Sequence, residues 1–99
     1  MSIDIYVEKI INNINKLDSI SFEKHAMRWF ESIIELIENT QNLVTFMEKL
    51  PDIDIYSEYI ASLSNIAKSM LEAMENKDYV HVGDIIAYDL TEVITAMNE

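Results

Sequence analysis

The chain contains no cysteine, and it has one glycine and one proline in 99 residues. The absence of cysteine excludes disulfide bonds, thiolate metal sites and a cysteine nucleophile. A β-sandwich or β-barrel needs many turns, and turns are rich in glycine and proline. Because long helices need few such breaks, the composition favours an all-α protein.

Long apolar runs are also missing, since each unbroken apolar stretch is only a few residues long. A transmembrane helix needs about 20 predominantly apolar residues, so none is predicted. The N-terminal sequence MSIDIYVEK has neither the basic region nor the continuous apolar region of a signal peptide. We therefore expect a cytoplasmic protein.

Basic residues are scarce: 7 Lys and Arg stand against 18 Asp and Glu, which gives a net charge of -11. Residues 51–99 hold 10 of the acidic residues and only 2 lysines. Such a surface repels phosphate groups, so neither nucleic acid nor an anionic membrane is an expected partner. The charge is explained either by solubility or by a basic protein partner that faces the C-terminal half.

Apolar residues make up 49% of the chain. They recur every three or four positions, which places them on one face of a helix. Four helical segments are predicted on this pattern: Ile3 to Leu17, Phe22 to Leu50, Ile55 to Met74 and Tyr79 to Met97. We predict an all-α fold, an up-down helical bundle of four segments with short connections, forming one domain over residues 1–99. If the second segment is not continuous, the polar cluster at 39–42 is the expected kink.

Residues that start and stop helices stand at the predicted boundaries. Ser21 is the predicted N-cap of the second segment, and Pro51 ends it. Asp52 or Asp54 is expected to cap the third segment, and Asp78 the fourth.

Gly83 lies inside the predicted fourth helix, where glycine costs about 1 kcal/mol relative to alanine. One interpretation is that the missing side chain lets a neighbouring helix approach closely. The other is that the position simply tolerates glycine.

The stretch ENKDYVHVGDIIAYDL, residues 75–90, combines a polar turn with the start of the last helix. It resembles an element, ENKDY followed by D-[IL]-[IL]-x-Y-x-L, of a family of small acidic uncharacterised helical proteins from low-GC Gram-positive bacteria. The matching residues are Glu75, Asn76, Lys77, Asp78, Tyr79, Asp84, Ile85, Ile86, Tyr88 and Leu90. Gly83 departs from the element, where a larger residue is expected. The resemblance implies a helical fold and no particular activity.

Metal and cofactor chemistry finds little support in the sequence. Asp78-x-x-His81 is a single imperfect copy of the Glu-x-x-His element that di-metal bundles repeat. No serine has a recognisable base motif, and one glycine cannot build a phosphate-binding loop. We predict no catalytic, metal-binding or cofactor-binding residue, and hence a protein that is not an enzyme.

Two acidic pairs, Glu35-x-x-Glu38 and Glu72-x-x-Glu75, are similar to the magnesium-binding motifs of all-α nucleotide pyrophosphohydrolases. Magnesium requires carboxylates that converge on one cavity. These pairs lie on the polar faces of their helices, so the sequence predicts that they point to solvent.

The leading hypothesis is a non-enzymatic protein–protein interaction module that binds a partner helix or a second copy of itself. The candidate partner-binding residues are aromatic, small or acidic: Trp29, Phe30, Gly83, Asp84, Tyr88 and Asp89. One alternative is a chaperone-like adaptor of flagellar or secretion assembly, because flagellar export chaperones are likewise small, acidic, cysteine-free helical bundles. The other alternative is a magnesium-dependent nucleotide pyrophosphohydrolase of the all-α type.

Overall fold

Residues 2–98 are described by a computed structural model, and they contain helices and turns but no strand. Helix α1 is Ile3–Asp18, α2 is Ala26–Glu48, and α3 is Ser57–Glu75 after a 3₁₀ turn at Ile53–Tyr56. We call residues 79–97 helix α4; it consists of an α-helical part, a π-helical part and a second α-helical part, Tyr79–Asp84, Ile85–Leu90 and Thr91–Met97. The predicted all-α bundle of four segments is confirmed.

Each helix packs on the next one in the chain, and α4 returns to the side of α1. The α1–α4 pairing is the weakest, because α1 touches α4 mainly at the last part, Thr91–Met97. The seam between the first and last helices is therefore open over the rest of α4. None of the helices within residues 2–98 has the length and apolar character needed to cross a bilayer.

The predicted apolar faces meet in one core. The side chains that are completely enclosed include Ile10, Ile33, Leu36, Leu43, Met47, Leu63, Met70, Val82 and Leu90. Burying each large aliphatic side chain contributes roughly 1.5–3 kcal/mol, so this core is the main source of stability. The acidic strip of α2, which includes Glu31, Glu35 and Glu38, is exposed as expected.

The second helix begins at Ala26, so the predicted start at Phe22 is wrong. Ser21 does not cap it. The Ser21 hydroxyl instead accepts a hydrogen bond from the Lys24 N–H at 3.4 Å, and the Ser21 carbonyl accepts one from the His25 N–H at 2.8 Å. These local bonds form a separate turn, which leaves Phe22 free to pack against side chains of α2 and α4.

Helix α2 is continuous from Ala26 to Glu48, and the kink considered at residues 39–42 is absent. Its polar side chains there are used in packing. The Thr40 hydroxyl donates to the Leu36 carbonyl at 2.8 Å, and the Asn39 amide donates to the Asn13 side-chain oxygen of α1. The helix stops at Glu48, two residues before the predicted end.

The predicted capping residues fare differently. Asp78 caps α4 as predicted, since its carboxylate accepts from the His81 N–H at 3.2 Å. Neither Asp52 nor Asp54 uses its side chain as a cap. The 3₁₀ turn delays the start of α3, and the Ser57 hydroxyl donates to the Asp54 carbonyl at 3.1 Å.

Candidate interaction site

The open seam between α1 and α4 forms a groove, which we call the α1–α4 groove. It consists of two neighbouring cavities of about 440 and 200 Å³ that share Ile14, Asn15 and Thr91. The α1 wall is formed by Ile11, Ile14, Asn15, Leu17 and Asp18. The α4 wall is formed by Gly83, Ile86, Ala87, Thr91, Ile94, Thr95 and Asn98, and α2 contributes Trp29 and Ile33. Since α4 rises about 1.5 Å per residue, the groove is roughly 20 Å long.

The sequence of α4 explains why its middle is a π-helix. Val82, Ile86, Leu90 and Ile94 are all buried and follow one another at steps of four. In an ordinary α-helix each such step overshoots a full turn by about 40°, so the row would rotate away from the core. A π turn holds more residues per turn and removes much of this rotation. The buried row can therefore stay on the core over the whole length of α4.

A side chain reinforces the π turn. The Thr91 hydroxyl donates to the Ile86 carbonyl at 2.7 Å, and the Thr91 N–H is bonded to the same carbonyl. A bond to the residue five positions earlier is the defining bond of a π-helix. Ala87, Tyr88 and Asp89 of this turn are exposed, and Ala87 lines the groove.

Four aromatic rings lie at the end of the bundle where α2 and α4 begin. They are Phe22, Trp29, Phe30 and Tyr79, and we call them the aromatic cluster. Each ring contacts the other three, with centroid separations from 5.0 Å for Phe30–Tyr79 to 5.9 Å for Trp29–Tyr79. Four of the six pairs are edge-to-face, and each such pair adds about 0.5–1.5 kcal/mol beyond area burial. The cluster fixes the turn after α1 against the rest of the bundle.

The six predicted partner-binding residues do not form one site. Trp29 and Gly83 line the α1–α4 groove, whereas Phe30 belongs to the aromatic cluster. Asp84, Tyr88 and Asp89 are exposed on α4, and Asp84 follows Gly83 directly. Trp29 connects the two regions, because it lines the groove and also packs in the cluster.

Gly83 does not serve close helix packing, so that interpretation is wrong. A Cβ atom built at Gly83 would meet no atom within 4 Å. Its backbone is helical and its φ is not positive, so a larger residue would fit. The open space beside it belongs to the groove.

The acidic pairs of the hydrolase hypothesis lie on exposed positions. Glu35, Glu38, Glu72 and Glu75 are all at the surface, and Glu35 forms an ion pair with Lys16 at 3.8 Å. Within residues 2–98 no group of three or more His, Asp and Glu side chains is placed to hold a metal ion.

The sequence did not indicate that Ile11, Ile14, Thr91 and Ile94 would line a groove. Their spacing assigns Ile11 and Ile14 to the core, and both do pack on it while remaining only half-buried. How far apart α1 and α4 stand is a tertiary property that periodicity does not encode. The one feature of the sequence that could have indicated the groove is the spacing of four residues between the buried apolar side chains of α4.

Fold and groove together define a small acidic four-helix bundle with an open seam between its first and last helices. A family model described as Domain of unknown function (DUF8042) matches residues 3–99, and the chain belongs to this family. No curated protein and no solved structure matches the chain significantly.

Proposed function

We propose that the chain is a non-enzymatic interaction module that binds an amphipathic helix of a partner protein in the α1–α4 groove. The observation that carries this proposal is the continuous groove itself, whose walls hold the apolar side chains of Ile11, Ile14, Ile86 and Ile94. Helix-binding proteins commonly use an apolar groove between two helices, which a guest helix fills with residues at i, i+3, i+4 and i+7.

The dimensions of the groove suit such a guest. A length of roughly 20 Å corresponds to about 14 residues of a guest helix. The space beside Gly83 is open to a guest side chain, because no other atom occupies it. A guest would complete a bundle in which α1 and α4 are otherwise poorly covered.

The π turn also supports the proposal that α4 is a helix that contacts the partner. π turns inside α-helices are rare and are found frequently at functional sites. Within this turn Tyr88 is 70% exposed, while Leu90, two residues later, is completely buried. Tyr88 is therefore available to a partner without any change in the core.

The non-enzymatic part of the proposal is supported by the placement of the acidic side chains. Glu35 and Glu38 belong to α2, and Glu72 and Glu75 to α3, and all four are exposed rather than directed into a cavity. A chaperone-like adaptor would use the same groove, so it differs from the main proposal only in the partner that it binds.

The proposal is tested by NMR with a synthetic amphipathic helical peptide of about 14 residues, with leucines at i, i+3, i+4 and i+7 and glutamines elsewhere. We expect amide shifts in ¹⁵N-labelled protein to change in residues 11–18 and 83–98 and to stay constant in α3. Shifts that concentrate on α3, or no shifts with any helical peptide, would contradict the proposal.

A blocked groove provides the control. Ala87 is exposed and lines the groove, so Ala87→Phe should fill it without disturbing the core. Ala61 is exposed on α3, so Ala61→Phe adds the same surface elsewhere. Peptide binding should be lost in the Ala87 variant and kept in the Ala61 variant.

A further inference from the structure

We infer that the helix bound in the α1–α4 groove is positively charged, with an apolar stripe flanked by lysine or arginine. This inference rests on the proposed function and adds the chemistry of the partner. It is carried by the distribution of charge on the two helices that form the groove.

The charged side chains of α4 are all acidic. Helix α4, residues 79–97, contains Asp84, Asp89 and Glu92 and no lysine or arginine. Asp84 and Glu92 directly follow the groove residues Gly83 and Thr91, and both are exposed. The residues that line this wall are uncharged, and the carboxylates of Asp84 and Glu92 stand beside it.

The α1 wall carries an acid, and its lysines are directed elsewhere. Asp18 lines the groove. At about 100° per residue, Lys9 and Lys16 lie roughly half a turn around α1 from Asp18. The Lys16 side chain confirms this direction, because it pairs with Glu35 of α2 at 3.8 Å.

Asp18 is thus the one charged residue that lines the groove, acids of α4 stand beside it, and no lysine or arginine lines it. Complementary charge speeds association and rejects partners of the wrong sign. The net charge of -11 strengthens this selection at longer range. A second copy of the chain carries the same excess of acid, so it is the less suitable occupant.

The test uses three synthetic helical peptides that share the same leucine stripe. The remaining positions are lysine in the first peptide, glutamine in the second and glutamate in the third. We expect calorimetry to give an affinity for the lysine peptide about tenfold above that for the glutamine peptide, and no binding of the glutamate peptide. The advantage of the lysine peptide should shrink between about 50 and 300 mM NaCl, because salt screens the attraction.

Variants that remove charge test whether acids at the groove cause the preference for the lysine peptide. Asp18→Asn with Asp84→Asn should reduce the advantage of the lysine peptide and leave the affinity for the glutamine peptide unchanged. The matched control is Glu58→Gln with Glu72→Gln, two exposed acids of α3, which removes the same charge away from the groove. Equal losses in both double variants would overturn the inference, since the net charge rather than the groove would then set the preference.

The outcomes of these experiments distinguish a failure of this inference from a failure of the proposed function. If all three peptides shift residues 11–18 and 83–98 with equal affinity, the inference fails and the proposed function stands. If no peptide shifts these residues, both fail. If sedimentation shows a dimer whose amides in α1 and α4 broaden with concentration, the groove is a self-association site and the inference is overturned.

Discussion

Gly83 shows how a single residue affects the stability of this protein. It lies in the helical part Tyr79–Asp84, it is exposed, and nothing stands within 4 Å of a Cβ built there. Glycine loses more backbone freedom on folding than any other residue. Its presence therefore lowers stability without any compensating contact inside the bundle.

Gly83→Ala should stabilise the protein by about 0.5–1 kcal/mol, because alanine fits the same backbone and restricts the unfolded chain. The measurement is urea unfolding of the variant and the parent. Ala61→Gly, at an exposed position inside α3, is the matched control and should destabilise by a similar amount. A loss of stability on Gly83→Ala would contradict the open space beside this residue.

Among individual residues, the buried polar ones were the hardest to predict from the sequence. Asn13 is 6% exposed on the apolar face of α1, and its side-chain oxygen accepts from Asn39 of α2. Periodicity predicts that Asn39 is part of a polar break, since it cannot show which residue of another helix lies opposite. The pair satisfies a buried amide, and this fixes the register of α1 on α2.

At the level of whole helices, the π turn in the middle of α4 depends on hydrogen bonds between two residues. It rests on Ile86 as acceptor and Thr91 as donor, with the Thr91 hydroxyl at 2.7 Å from the Ile86 carbonyl. Local hydrogen bonds from threonine can favour such a departure from the α-helical pattern.

Thr91→Val should destabilise the protein by about 1 kcal/mol, because a partly buried hydrogen bond is lost. Hydrogen exchange of the amides in residues 85–91 should become faster at the same time. Thr95→Val is the control: Thr95 is exposed on the next turn, so its replacement should change stability by less than about 0.5 kcal/mol. Indistinguishable effects of the two variants would contradict a role for the Thr91 hydroxyl.

The helices themselves were largely predictable, and their ends were less so. For three of the four helices, the apolar spacing predicts the observed ends to within a few residues, because this spacing is a local property of the sequence. The start of α2 was missed because Phe22 continues the apolar spacing, although it belongs to the aromatic cluster instead. A ring that packs from a turn and a ring that packs from a helix have the same signature in sequence.

At the level of the whole molecule, acidic charge is poorly neutralised. Among residues 2–98 the salt bridge between Lys16 and Glu35 is the one ion pair, and both side chains are about half exposed. An exposed pair of this kind contributes little, typically about 0–1 kcal/mol. Repulsion among the remaining carboxylates therefore opposes the compact state.

Adding NaCl should raise the free energy of unfolding, on the order of 1 kcal/mol between about 10 and 300 mM, because it screens this repulsion. Urea unfolding at several salt concentrations measures the rise. A variant with Asp89→Asn and Glu92→Gln removes two exposed carboxylates of α4 and should show a smaller rise. A fall in stability with salt would show that attractive ion pairs dominate.

The candidate site was less predictable from the sequence than the fold class. Fold class follows from patterns within each helix, whereas a groove depends on the distance between helices far apart in sequence. Trp29 and Gly83 were predicted to bind a partner, and both line the α1–α4 groove; partner binding by these residues stays a prediction. Phe30 was grouped with them because adjacency in sequence does not show that it packs in the aromatic cluster.

Trp29 is the chain's single tryptophan, and it stands between the α1–α4 groove and the aromatic cluster. Its indole ring therefore lines the groove that a guest would occupy, and it also packs against Phe22 in the turn after α1. The tryptophan emission of the protein therefore arises at this one place. The molecule consequently contains its own optical reporter, and occupation of the groove is readable without attaching a dye.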